Sequence, residues 1–177
     1  AQYLLTRLIS LFRAGFPDLS PHVSCFTNVM EAYAAQRHRD AGECSEEILR
    51  SMIKLQKRHN ATGIEVNTGV MNSILNGWAE CNGHDDAGSR AEQILNLMEE
   101  KSGTGAYKME PNYRSYNLVI KAYSKSKCPD KAEKALGILN RAKNCYLQGK
   151  AESLPPEYAY SLVIHACAFS ENTGPKI

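Results

Sequence analysis

The sequence predicts an all-α fold, an α-solenoid of stacked antiparallel helix pairs with a period of about 45 residues. Its basis is a stretch in which apolar residues recur at i, i+3, i+4 and i+7, the spacing of one face of an α-helix. The stretch occurs four times, and its first apolar residues lie 45, 45 and 44 residues apart: Phe26, Met71, Tyr116 and Tyr160. A small residue precedes the last apolar position in every copy: Ala32, Gly77, Ala122 and Ala166. A fixed period of this size is typical of repeat proteins.

The period divides residues 1–177 into a single repeat array. We assign 1–20 to the second helix of a preceding repeat, and 155–177 to the first helix of a following one. Three full repeats lie between them, at 21–65, 66–110 and 111–154. Each helix pair leaves an apolar face that the next pair would cover, which gives a continuous core. Because neither end carries a polar capping repeat, we expect a longer array or a covering partner protein.

Helices are predicted wherever the apolar period continues between clusters of Gly, Pro, Asn and Asp. A helix at 1–13 ends at a break rich in Gly and Pro, and its apolar side carries Leu4, Leu5, Leu8, Leu11 and Phe12. The first helices of the repeats are expected at 23–36, 68–80, 113–125 and 157–169, and the second helices at 44–58, 89–101 and 130–146. Turns are expected to include 41–42, 82–88, 102–105 and 171–175.

The predicted core follows from the same pattern. The second helices contribute Ile48, Leu49, Met52, Leu55, Ala91, Ile94, Leu95, Met98, Ala132, Ala135, Leu136 and Leu139. The last copy of the first helix contributes Tyr160, Val163, Ile164 and Cys167. Aromatic residues at the ends of three first helices, Tyr33, Trp78 and Tyr123, are expected to fill the space between helices. The small residue before each aromatic would let a neighbouring helix approach.

Composition restricts the function classes. The net charge is +2 and the pI about 8.2, so the chain is only mildly basic. No apolar run is long enough to span a bilayer, which predicts no membrane insertion. The six cysteines include no CxxC pair, so a zinc site is not expected. Their wide spacing favours free thiols in a reducing compartment, with disulfides as the open alternative.

No catalytic motif is present. The chain lacks HExxH, a glycine-rich phosphate loop, GxSxG and the paired motifs of zinc deaminases. The histidines of the polar turns have no neighbouring ligand set. We therefore expect a protein that is not an enzyme and that holds no cofactor or metal.

The best-defined copy of the repeat identifies a family that the chain resembles. It reads Pro111-Asn112-x-x-Ser115-Tyr116-Asn117-x-Val-Ile-x-Ala-Tyr123, with Lys-Ala132 opening the next helix. This pattern resembles the pentatricopeptide repeat, in which the last apolar residue and the helix-opening alanine lie nine residues apart, as Tyr123 and Ala132 do. The corresponding steps are 12 and 13 residues in the two preceding repeats, so the surplus length lies in the loops. Such lengthened repeats resemble algal members of the family.

The resemblance implies binding of single-stranded RNA, one base per repeat, through two or three side chains. It assigns each base to two residues, one inside the first helix of a repeat and one just before the first helix of the next repeat. The pairs are Thr27 with Asn67, Asn72 with Asn112, and Asn117 with Pro156. Ser161 occupies the first of these two positions in the last helix. The first pair would favour adenine and the second a pyrimidine, whereas Pro156 would not discriminate. At the family's base-stacking position, Arg114 and Tyr158 could stack on a base. Lys121 lies among the polar residues of the same helix surfaces.

A structural role for these residues stays open. Asn, Ser and Thr near a helix start often satisfy unpaired backbone N–H groups instead of contacting a ligand. The leading hypothesis is an RNA-binding protein of a mitochondrion or chloroplast that acts in RNA processing, stability or translation. The alternative is a non-catalytic scaffold subunit that binds proteins within a large organellar complex such as a ribosome, which the nearly neutral charge favours. A third, weaker hypothesis is a nuclease or editing factor with its active domain elsewhere.

Overall fold

A computed structural model describes residues 1–59, 63–81, 84–102, 108–149 and 154–170. These residues form α-helices and one short 3-10 helix at Pro17–Leu19, with no strand among them. The helices are α1 (Gln2–Arg13), α2 (Val23–Ala35), α3 (Ala41–His59), α4 (Thr68–Glu80), α5 (Ala87–Ser102), α6 (Tyr113–Lys125), α7 (Lys131–Leu147) and α8 (Glu157–Ala168). The predicted all-α class is confirmed. Of the predicted turns, 82–83, 103–105 and 171–175 lie outside the described residues.

The helices pack in two rows. Helices α2, α4, α6 and α8 form the first row, in which each helix packs against the next. Helices α3, α5 and α7 form the second row, and each packs against the first-row helices that precede and follow it in the chain. A hydrophobic core of buried side chains extends along both rows. Each first-row helix therefore buries residues against the second row and against its own neighbours.

Two second-row helices begin earlier than the sequence pattern predicted. Helix α3 begins at Ala41 instead of 44, and α5 begins at Ala87 instead of 89. The extra turns contain Gly42 and Gly88, which resemble turn residues in the sequence. In the fold, each glycine lies under an aromatic ring, where a Cβ atom would overlap Trp78 or Tyr123. Glycine therefore stands at these two helical positions because the aromatic ring occupies the space of a Cβ atom, and not because the chain turns there.

The same contacts confirm the predicted role of two aromatic residues. Trp78 and Tyr123 are 2 % and 1 % exposed and fill the space between the rows. The small residue before Trp78 also behaves as predicted, since a Cβ on Gly77 would lie 2.8 Å from the carbonyl oxygen of Ala41. The third aromatic, Tyr33, is only partly buried, and its hydroxyl donates a hydrogen bond to the Gln2 side chain. The helix approach therefore depends on glycine in both rows.

Several residues predicted for the core are exposed, and the prediction was wrong for them: Leu4, Leu136, Tyr160, Ile164 and Cys167. Helix α7 turns Ala135, Ile138 and Leu139 towards α6 and α8, which rotates Leu136 outwards to 47 % exposure. In α8 the buried residues are Ala159, Val163 and Ala166. Helices α1 and α8 have packing partners on one side only within the described chain, so part of each apolar face meets solvent.

Candidate nucleic-acid interface

The candidate interface lies where the first-row helices begin. Asn67 caps α4, with its Oδ1 accepting from the Val70 N–H at 3.1 Å. Asn112 caps α6, with its Oδ1 accepting from the Ser115 N–H at 3.1 Å, while Ser115 Oγ accepts from the Asn112 N–H at 3.1 Å. Asn is among the best N-cap residues, and the reciprocal arrangement satisfies two backbone donors that the helix leaves unpaired. The cap fixes the position of the Asn112 side chain.

Three polar side chains join α4 to α6: Asn72, Ser115 and Asn112, which we call the amide triad. The Asn72 Nδ2 group donates to Asn112 Oδ1 at 3.3 Å, and the Ser115 hydroxyl donates to Asn72 Oδ1 at 2.7 Å. Asn72 is 6 % exposed and Ser115 is fully buried, whereas Asn112 is exposed. The pair that the resemblance assigned to one base is therefore brought together across 40 residues of chain.

Ser115 was not among the predicted site residues. Its spacing from Asn112, with two residues between them, is that of a capping box, and this signal could have identified it. The bond from Ser115 to Asn72 carried no such signal. It depends on the packing of α6 against α4, which no local pattern specifies.

The other predicted residues are placed differently. The Thr27 hydroxyl donates to the Ser24 carbonyl of its own helix at 3.3 Å, and no hydrogen bond joins it to Asn67 in the described part of the chain. Asn117 is half-buried in α6. Ser161 is exposed and its hydroxyl lies 3.4 Å from the Glu157 carbonyl oxygen. Arg114 is exposed in the first turn of α6.

Lys121, another predicted contact, is paired within the fold. Its ammonium group binds Glu80 of α4, and Lys125 binds the same carboxylate at 2.6 Å. Burial by itself raises the pKa of Glu80, but the hydrogen bonds and charges of the two lysines outweigh it and lower the pKa. Much of the positive charge on this part of α6 is therefore offset by Glu80. Between α2 and α4, the Asn76 side chain instead donates to Glu31 at 2.8 Å.

The second row carries its own polar network. Arg90 of α5 binds Glu46 of α3 at 2.8 Å, and Glu46 also accepts from the Trp78 indole at 3.1 Å. Arg141 of α7 binds Glu92 and Glu99 of α5 at 3.1 and 2.5 Å. Burial, together with a hydrogen bond to Glu92, raises the pKa of the Tyr123 hydroxyl. These ion pairs connect consecutive second-row helices, so their charges stabilise packing.

Within the described ranges, no group of three or more His, Cys, Asp or Glu side chains is placed to hold a metal ion. All six cysteine thiols are free. None of the described helices is long and apolar enough to cross a membrane.

No protein-family model, no curated protein and no solved structure matches the chain.

Proposed function

We propose that the chain is an α-solenoid of antiparallel helix pairs, similar to pentatricopeptide-repeat proteins, that binds single-stranded RNA along the starts of its first-row helices. The first-row helices begin at Val23, Thr68, Tyr113 and Glu157, which supports a repeat of about 45 residues. Their successive packing, with a second-row helix between each consecutive pair, supports a solenoid. A row of equivalent helix starts is suited to a polymer with regularly spaced bases.

The observation that carries the proposal is the contact between Asn72 and Asn112. The resemblance assigned these two residues to the same base, and their side chains form one hydrogen-bonded unit. The exposed Asn112 amide belongs to a rigid cap, so it can meet a base edge without losing much side-chain freedom. Arg114, exposed two residues further on, offers a planar cation that can stack on a base.

The remaining assignments follow from that function. Thr27, Asn67, Asn117 and Ser161 would contact bases at the other helix starts, and Lys121 would reach the backbone only by leaving Glu80. The protein would act without a catalytic centre in RNA processing, stability or translation in a mitochondrion or chloroplast. With a net charge of +2, we expect few phosphate contacts and a modest salt dependence.

The test is fluorescence anisotropy with a labelled pool of single-stranded RNA at low and at raised salt. We expect an affinity that decreases with salt. In the double variant Asn112→Ala plus Asn117→Ala the affinity should fall about tenfold or more, since each substitution removes a base contact. The control is Asn140→Ala, which removes an exposed amide from α7 in the second row. Absence of binding at low salt, or equal loss in the control, would contradict the proposal.

A second function is favoured by a groove of about 590 Å³ between α3 and α5. Its walls combine apolar residues, among them Leu49, Ile53 and Leu97, with charged residues such as Lys57 and Lys101, a mixed lining that suits a protein contact. Together with the pairing of Lys121 to Glu80, this supports a scaffold subunit that binds proteins. Cross-linking in the native assembly distinguishes the two functions. Protein cross-links at Arg114, with no RNA cross-link at the first-row helix starts, would favour the scaffold.

A further inference from the structure

The groove of about 590 Å³ between α3 and α5, which we call the second-row groove, has two helical walls. Helix α3 lines it with Leu49, Ile53 and Lys57, which lie on one face because they are spaced four residues apart. Helix α5 lines the other wall with Leu97 and Lys101, at the same spacing. From Leu49 to Lys57 the groove follows α3 for about 12 Å, roughly two helical turns.

The repeat shows which residues stand at the equivalent place between α5 and α7. Gly42 of α3 and Gly88 of α5, each under an aromatic ring, are 46 residues apart and set the register of those two helices. The buried residues of α5 and α7 agree at a separation of 44: Ala91 with Ala135, Leu95 with Leu139, and Met98 with Ala142. With these separations, Ile53 is the counterpart of Glu99, and Leu97 is the counterpart of Arg141.

Polar side chains bridge the place between α5 and α7. Arg141 binds Glu99 at 2.5 Å, and the Tyr116 hydroxyl donates to Glu99 at 3.0 Å. In the second-row groove the three counterparts are apolar and cannot make these bonds: Leu97, Ile53 and Met71. Leu97 is left 41 % exposed. An apolar surface that the fold leaves open between polar edges is typical of an interaction site.

The edges of the second-row groove are positive. Among the described residues that line it, three are lysines and one is a glutamate: Lys57, Lys101, Lys108 and Glu65. Lys57 and Lys108 are exposed, so charge complementarity favours an acidic partner. The described lining has no aromatic ring on which a base could stack, and Met71 and Met109 make part of it apolar. The groove therefore suits a polypeptide better than RNA.

We propose that the second-row groove binds an amphipathic helix of a partner protein, whose apolar stripe contacts Leu49, Ile53 and Leu97 and whose flanking carboxylates pair with Lys57 and Lys108. Because both walls are helices, a third helix can pack between them. A helix laid in an apolar groove is a recurrent mode of protein recognition, and two turns present anchors at i, i+4 and i+7. The inference rests on the second proposed function, protein binding, and names its partner. It does not rest on RNA binding.

The probe is a yeast-displayed library of helices of about 18 residues, long enough to form helix in water. The apolar stripe is fixed as leucine, and each flanking position is Glu, Lys, Ser or Gln. The library is sorted with the labelled unaltered chain, and enriched helices are measured by anisotropy as free peptides. We expect enrichment of Glu beside the stripe and a dissociation constant on the order of 10 µM.

The first variant closes the groove. Ile53→Glu plus Leu97→Arg places in α3 and α5 the ion pair that Glu99 and Arg141 form between α5 and α7, and it leaves the net charge unchanged. We expect the selected peptide to bind at least about tenfold more weakly. The matched control is Leu136→Arg in α7, which alters a leucine of similar exposure, 47 %, outside the groove. Its peptide affinity should stay within about twofold of the unaltered chain.

The second variant reverses the charge of the edges. Lys57→Glu plus Lys108→Glu alters two exposed side chains and should weaken the acidic peptide about tenfold, because attraction becomes repulsion. Its control is Lys127→Glu plus Lys134→Glu, which makes the same change of net charge at exposed lysines outside the groove. If the closing variant does not fold, as judged by circular dichroism, this pair of variants decides.

The outcomes separate the inference from the proposed functions. No enrichment, enrichment of Lys beside the stripe, or a peptide affinity that the closing variant leaves unchanged overturns the acidic helix in the groove. A dimer of the unaltered chain that the closing variant separates in sedimentation shows a second copy in the groove and also overturns it. Protein cross-links in the native assembly without peptide binding at the groove overturn the inference and leave the scaffold function. RNA binding is measured separately and should be equal in the closing variant and the unaltered chain.

Discussion

The regions around the α2–α4 contact and the α4–α6 contact share the way in which the first row packs on the second. In each region an aromatic residue of the later first-row helix covers a glycine of the preceding second-row helix: Trp78 over Gly42, and Tyr123 over Gly88. The rings leave no room for a Cβ, so helix and ring meet at van der Waals distance. Close packing of this kind is sensitive to volume. The apolar pattern therefore recurs in the sequence because the same contact between an aromatic ring and a glycine recurs in the fold.

The polar residues of the two contacts differ. Between α2 and α4, Thr27 bonds to its own helix, and Asn76 donates to Glu31. Between α4 and α6, Asn72 bonds across to Asn112, and Glu80 holds Lys121 by an ion pair. The apolar pattern therefore constrains side-chain volume and leaves the hydrogen-bonding chemistry free to vary. Equivalent positions in the sequence need not do the same thing.

The largest expected effect tests the shared apolar design. Gly42→Ala and Gly88→Ala should each lower the free energy of unfolding by about 2 kcal/mol, since the new Cβ would overlap the ring above it. The control is Gly137→Ala in α7, where nothing lies within 4 Å of the new Cβ. That change should stabilise the fold by up to about 1 kcal/mol through helix propensity. Urea denaturation measures all three, and a neutral Gly42→Ala would contradict the shared design.

The next effect separates the two contacts. Asn72→Ala removes both hydrogen bonds between α4 and α6 within the amide triad and should cost about 1.5 kcal/mol, because each such bond contributes to stability. Thr27→Ala loses only a bond to its own helix and should cost less than about 0.5 kcal/mol. Urea midpoints measure the difference. Equal costs would mean that the amide triad adds nothing to the α4–α6 contact.

The smallest effect concerns the ion pairs. Glu80→Gln should cost about 1 kcal/mol at neutral pH, because two lysines lose their carboxylate, and Glu31→Gln should cost less, since its partner Asn76 is uncharged. The pKa of Glu80 is lower in the fold than its ordinary 4.5, so its contribution is present above that pH. It is lost as the pH falls through the lowered value.

The measurement is the free energy of unfolding as a function of pH for the unaltered chain and for both variants. Glu80→Gln should flatten the acid side of the profile more than Glu31→Gln does. A profile that Glu80→Gln leaves unchanged would show that the ion pairs between α4 and α6 do not stabilise the fold.

Local patterns predicted most of the fold. The limits of α4 and α6 agree with the prediction at both ends, and the other first-row helices agree within one residue. Prediction was weaker where a residue has two possible roles. The sequence pattern predicts a turn at Gly42, but the Trp78 ring lies over it in a helix. The pattern also predicts Leu136 in the core, but the packing of α7 against α8 leaves it exposed. In both cases the deciding neighbour is distant in sequence.

The candidate site was likewise predicted only where its features depend on residues close together in the chain. The sequence by itself determined the helices, their apolar faces and the N-cap role open to Asn112, because these depend on residues within a turn or two of each other. Only the tertiary structure decided that Asn72 and Ser115 meet Asn112, and that Lys121 meets Glu80, about 40 residues away. A hydrogen bond needs a donor–acceptor distance of about 3 Å, and between residues so far apart in the chain only the packing of the helices sets that distance.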